Sequence, residues 1–219
     1  VDRAPRPRSR LRRAVSTVAG LVRGHTLPEL VDLVRVRSES AASRTERFRR
    51  ARLEGAGRLV FVCYGNIMRS AFATALARRV CREEGRCHDA ECGGRIVGAG
   101  THARDGRGAQ EEAIVAARRL HVSLEAHRAS SLGAIAPCSR DVFVCMDWSN
   151  VVVVRRWPGV NPRRVFLIGD LEEAGPGGRV VEDPYGQGVE EAVDRFRVIG
   201  SLVPRWTRLL DAPGEPPPA

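Results

Sequence analysis

From residue 58 onward, strand-forming and helix-forming segments alternate, predicting an α/β fold: a parallel sheet with helices on both faces, preceded by an Arg-rich N-terminal extension. Short runs rich in β-branched residues recur at 59–62, 95–98, 141–145 and 164–168. Helix-forming stretches follow at 70–84, 110–120, 148–156 and 189–210. Each strand thus leads through a loop into a helix, the unit that joins parallel strands by right-handed crossovers. In such sheets the ligand sits beyond the carboxyl ends of the strands.

The extension comes first in the chain. Residues 1–13, rich in Pro, Arg and Ser, are expected to be disordered. The segment 27–36, begun near Thr26-Leu27-Pro28, reads as a short amphipathic helix. Residues 38–52 are polar and charged and read as helical, and Gly55-Ala56-Gly57 marks a hinge. These signals divide the chain into an extension (1–57), an α/β domain (58–211) and a Pro-rich tail (212–219).

Composition bounds the setting. A chain of 219 residues with 43% hydrophobic content supports one well-buried domain, and no apolar run nears the length of a membrane span. Residues 14–22 make a poor signal peptide, and six cysteines at 63, 81, 87, 92, 138 and 145 do not form a disulfide framework, so a reducing, cytoplasmic location is expected. Residues 1–57 carry 14 arginines against 6 acidic residues, a net of +8 out of the chain's +10. No lysine occurs, which reads as coding bias before it reads as nucleic-acid contact. An acidic partner, a membrane surface or nucleic acid is the class of partner that this extension would meet; oligomeric state is not legible.

Chemistry concentrates where the first strand ends. The run Cys63-Tyr64-Gly65-Asn66-Ile67-Met68-Arg69-Ser70 passes from strand through a tight loop into a helix N-terminus. Backbone N–H groups of such a loop and the helix dipole make an anion cradle. Positive potential there favours the thiolate of Cys63, the nucleophilic form. Arg69 can clamp two phosphate oxygens with its planar fork. Together these residues imply attack of sulfur on phosphorus. The leaving oxygen then needs a proton, and Asp183 in Val181-Glu182-Asp183-Pro184-Tyr185-Gly186 is the candidate acid, later the base for water. Tyr185 offers an aromatic wall, and His102, just after the second strand, is a candidate for the substrate rim.

The α/β part resembles the low-molecular-weight protein tyrosine phosphatases. The resemblance is carried by the Cys63–Ser70 run, Gly98-Ala99-Gly100-Thr101, Leu124-Glu125-Ala126-His127-Arg128-Ala129, Asp141-Val142-Phe143-Val144-Cys145-Met146-Asp147 and Asp183-Pro184-Tyr185, in order and spacing. It implies a four-stranded parallel sheet and metal-free, two-step hydrolysis through a phosphocysteine on Cys63, without cofactor. It implies phosphate binding by Arg69 and by the loop from Tyr64 to Met68. Ser70 would stabilise the thiolate, and Asn66 would hold a strained conformation helped by Ser70 and His127. Phosphorylated proteins are the implied substrates.

The departures are specific. Met68 stands where the family commonly has a second cysteine, Ala71 where proline is usual, Thr74 where glutamate is usual, and Gly98 where serine is expected. Within the resemblance, Ile67 favours phosphotyrosine, whereas Gly186-Gln187-Gly188 after a single aromatic favours phosphoarginine; tyrosine is the preferred reading. The same residues also admit an arsenate reductase using Cys81, Cys87 or Cys92, or a non-enzymatic phosphate-binding module. The spacing of Cys81, Cys87, His88 and Cys92 lacks the close cysteine pair of a structural zinc site, and no metal is expected.

Overall fold

The computed structural model describes residues 26–86, 94–171 and 178–211. Expectations for residues 1–13, for Cys87, His88 and Cys92, and for the Pro-rich tail lie outside the described residues. The chain divides into two compact units, residues 1–39 and 40–219. In the first, α1 (Leu27–Ser38) starts with Pro28 in its first turn, and the Glu29 carboxylate accepts the Thr26 N–H at 2.6 Å.

The second unit holds a four-stranded sheet of β1 (Leu59–Cys63), β2 (Ile96–Gly100), β3 (Val142–Cys145) and β4 (Val165–Leu167), all parallel, in the order β2-β1-β3-β4. Every residue of β1 is buried, as a strand covered on both faces requires. The helices that follow the strands are α3 (Arg69–Glu83), α4 (Glu111–Arg119), α5 (Trp148–Arg155) and α6 (Val189–Thr207). α3 packs on α6, which also meets α4, while α5 lies against β3 and β4. Phe72 of α3 stacks on Phe196 of α6 with ring centroids 4.2 Å apart. Because the chain leaves β1 toward β2 and then returns to β3 on its other side, the strand order reverses at β1. That places Cys63, its last residue, at the crevice that open parallel sheets use for ligands.

The expected division at 57/58 falls inside the second compact unit. The compact unit begins at residue 40, and its first element is α2 (Ala41–Glu54), which is built into the fold. Phe48 meets Phe166 and Trp206 edge-on, with centroids 6.3 and 5.6 Å apart. Arg47 lies 4.2 Å over the Phe166 ring and donates to the Val165 carbonyl at 2.5 Å, a backbone acceptor on outer strand β4. Arg164, itself buried, donates to the Glu54 carboxylate at 2.5 Å and to the Gly55 carbonyl. A helix so poor in aliphatic residues packs through one phenylalanine and through arginine stems, which carry apolar surface beneath a charged head.

Candidate active site

The loop 64–68 owes its shape to Asn66, one of two non-glycine residues with positive φ among those described (φ 51°). That left-handed backbone is disfavoured for most side chains, and here four bonds hold it. The Asn66 side chain donates to Ser70 Oγ at 2.8 Å and accepts from the Ser130 N–H at 2.9 Å. Its carbonyl accepts from His127 Nε2 at 2.6 Å, and its N–H points to Cys63 Sγ at 3.3 Å. A carbonyl only accepts, so His127 carries its proton on Nε2. Burial, with repulsion from Arg78 and Arg128, lowers the His127 pKa below its ordinary 6.5, outweighing the bond to Asn66, so the imidazole is neutral at pH 7.

This gives a pH prediction. Between the lowered value and 6.5, the unfolded chain holds more protons than the folded one, so stability rises with pH through that window and is lost as pH falls below 6.5. Glu46 and Glu125, both at about 2, titrate well below it. The thermal midpoint should therefore drop from pH 7 to pH 5.5, and His127→Gln, which keeps an N–H donor, should flatten that drop. Thermal melts of both proteins across the range decide it; parallel curves would remove His127 as the cause.

Cys63 Sγ lies 3.0 Å from Ser70 Oγ. The Ser70 oxygen accepts from Asn66, and its single hydrogen has two acceptors within reach, the Cys63 sulfur at 3.0 Å and the Ala99 carbonyl at 3.3 Å. Among the described residues, the N–H groups of Gly65, Ile67 and Met68 make no bond within the protein, leaving donors around the sulfur for an oxyanion. Gly98 has no room for a side chain: a Cβ there would sit 2.6 Å from Thr74 Oγ1 and 2.8 Å from Asn66 Nδ2. Glycine at 98 thus leaves room for Thr74 and Asn66, and Asn66 is satisfied by Ser70 and Ser130.

Arg69 is 1% exposed at the start of α3. Nη1 bonds the Asp147 carboxylate at 2.8 Å and the Val181 carbonyl at 2.9 Å, and Nη2 bonds Asp183 at 2.7 Å. Nε is buried without a partner, a donor left for an incoming oxygen. Burial opposes its charge, but the combined attraction of Cys63, Asp183 and Asp147 prevails and holds its pKa above the ordinary value. Asp147 follows the third strand in the sequence, where nothing local marks it as part of a site. As the N-cap of α5, its carboxylate also accepts the Asn150 N–H at 2.9 Å, and it fixes one edge of the guanidinium.

A cleft of about 560 Å³ opens over this centre, with Cys63 at its floor and Tyr64, His102, Asp183 and Tyr185 among its walls. Tyr64 and His102 stack with centroids 4.4 Å apart, and both tyrosines are about half exposed. The structure therefore brings the sequence-predicted residues together around one opening, with His127 behind the loop. Cys81 is buried in α3, where burial raises its pKa, and lies about 18 Å along the helix from Arg69 at 1.5 Å per residue.

Residues 58–212 match the low molecular weight phosphotyrosine protein phosphatase family. The tyrosine phosphatase AmsI of Erwinia amylovora superposes with a TM-score of 0.56 at 22% identity, over 69% of this chain and 91% of that one. The tyrosine phosphatase Wzb from Escherichia coli K30, in complex with sulphate, gives 0.56 at 22% identity over 71% and 99%. The YwlE arginine phosphatase of Bacillus subtilis, with a phosphorylated active-site serine, gives 0.56 at 22% identity over 70% and 95%. At such identities the likeness is one of fold. No curated protein matches the chain. With the family match spanning the whole sheet and the residues around the cleft, the chain belongs to the low molecular weight phosphotyrosine protein phosphatase family.

Proposed function

We propose that the protein is a protein tyrosine phosphatase working through a phosphocysteine on Cys63. One observation carries the reading: Cys63 and Asp183 line a single cleft, with buried Arg69 bonded to Asp183 and Cys63 within hydrogen-bond reach of Ser70. Arg69 Nε and the loop N–H groups bind the phosphoryl oxygens. A phosphoryl group there competes with Asp183 for Nη2, freeing the carboxyl to face the leaving oxygen. Sulfur then attacks phosphorus, the P–O bond breaks, and Asp183 protonates the departing phenoxide. In the second step Asp183 takes a proton from water, water attacks phosphorus, and the S–P bond breaks. The Ser70 hydroxyl stabilises the departing thiolate, and inorganic phosphate leaves.

Tyrosine is preferred over arginine for two reasons. Tyr64 and Tyr185 offer apolar ring surface to a flat phenyl group. A phosphoarginine side chain also brings its own guanidinium charge toward Arg104 and Arg107, which line the same cleft. The arginine phosphatase among the structural relatives keeps phosphoarginine as the second reading. An arsenate reductase is less well supported: among the described residues, buried Cys81 is remote from Cys63 and Met68 offers no thiol, while Cys87 and Cys92 lie outside the described residues. Matched phosphotyrosine and phosphoarginine peptides, incubated without added metal, should give faster phosphate release from the first. Faster release from the second would reassign the substrate, and release from neither would leave a phosphate-binding module.

A further inference from the structure

Resting on that phosphatase reading, a second feature of the same cleft concerns what surrounds the phosphorylated residue. The loop after β2 bends in a turn whose Gly106 has φ 79°. Two backbone bonds fix it to residue 129: Gly106 N–H to the Ala129 carbonyl at 2.8 Å, and Ala129 N–H to the Arg107 carbonyl at 2.7 Å. Within this turn Asp105 is committed elsewhere, its carboxylate accepting from the Ser131 N–H at 2.5 Å and the Ser131 hydroxyl at 3.1 Å. Arg104 and Arg107, on either side of it, both line the cleft and are both exposed.

Neither arginine is neutralised. Among the described residues, the Arg104 side chain makes no ion pair or hydrogen bond, and Arg107 bonds only the neutral Gln110 amide at 3.1 Å. Among the described residues that line the cleft, Asp183 is the one carboxylate, and Arg69 holds it. A rigid turn thus presents two uncompensated cations at the mouth of a cleft whose floor takes a terminal phosphoryl group. Like charges lining one cleft repel each other across it, and an anionic ligand relieves them.

We propose that Arg104 and Arg107 form an acidic-side-chain subsite that selects phosphorylated segments with Asp or Glu close to the phosphorylated residue. At about 3.3 Å per extended residue, a carboxylate within about three residues of it reaches the rim of a cleft this size. The charge also steers acidic segments toward the site during encounter.

The test uses one phosphopeptide, carrying whichever phosphorylated residue the wild type prefers, with Glu, Gln or Lys at the neighbouring positions. The wild type should turn over the Glu peptide about tenfold more efficiently than the Gln peptide, about threefold from each exposed ion pair. Arg104→Gln and Arg107→Gln should each cut that ratio about threefold, and Arg104→Glu with Arg107→Glu should turn the preference toward Lys. A wild-type ratio of one, or a ratio that survives the double charge reversal, overturns the subsite while leaving the phosphatase standing. Should no peptide turn over, the phosphatase reading falls, and the subsite is judged on wild-type Kd for the same peptides. Tighter binding of the Glu peptide keeps it, and equal binding removes it.

Discussion

Replacing Cys63 with serine is expected to lower kcat on every phosphomonoester by roughly 10⁶-fold, the scale on which a catalytic unit fails without its nucleophile. Serine keeps the shape and the bond to Ser70, so phosphate affinity should persist while turnover vanishes. Asp183→Ala behaves differently. Removing a general acid costs about 10²–10⁴-fold, but only where the leaving oxygen needs the proton. A phosphotyrosine peptide, whose phenoxide leaves poorly, should show the full loss. An aryl phosphate with a strongly acidic phenol should show little in the first step. Kinetics of both variants on both substrates separate the roles: an Asp183→Ala loss independent of the leaving group would make Asp183 a mere partner of Arg69. Residual turnover by Cys63→Ser near the wild-type rate would end the phosphocysteine reading.

Deleting residues 1–57 should unfold or aggregate the protein, whereas deleting 1–39 should move its thermal midpoint by only a few degrees. The longer deletion removes Phe48 from between Phe166 and Trp206, a loss of about 3–5 kcal/mol for a well-packed aromatic. It also strips Glu54 and the Gly55 carbonyl from buried Arg164, leaving it the Arg140 carbonyl, and breaking a buried ion pair costs about 3–5 kcal/mol more. Together these approach the whole stability of a typical domain, about 5–15 kcal/mol. The shorter deletion touches none of these contacts. Circular dichroism melts of the two truncations decide it. A 58–219 protein melting like the full chain would show α2 to be dispensable, and a 40–219 protein that fails to fold would extend the required unit into α1.

The extent of α2 shows where sequence reasoning stops. Its residues read as polar and charged, and its helix is visible in the sequence. Its docking is not, because the partners Phe166, Val165 and Trp206 lie far along the chain and no apolar stripe announces the contact. The cradle is fully legible for the opposite reason. Cys63, the loop and Arg69 are consecutive, so local strand, turn and helix geometry alone bring them together. Gly98 is an intermediate case: the missing serine is visible in the sequence, but the satisfaction of Asn66 by Ser70 and Ser130 needs the packed structure.

Alternating β-branched and helix-forming segments determine the parallel sheet, and one contiguous run determines the anion cradle, since both depend on neighbours in the chain. The tertiary structure alone decides that Asp147 and Asp183, 78 and 114 residues from Arg69, grip the same guanidinium. It alone turns Asp105 toward Ser131 and leaves Arg104 and Arg107 facing the cleft. Charges meet in space according to how strands are ordered in the sheet, and that order is set by packing of the whole domain, which no local pattern encodes.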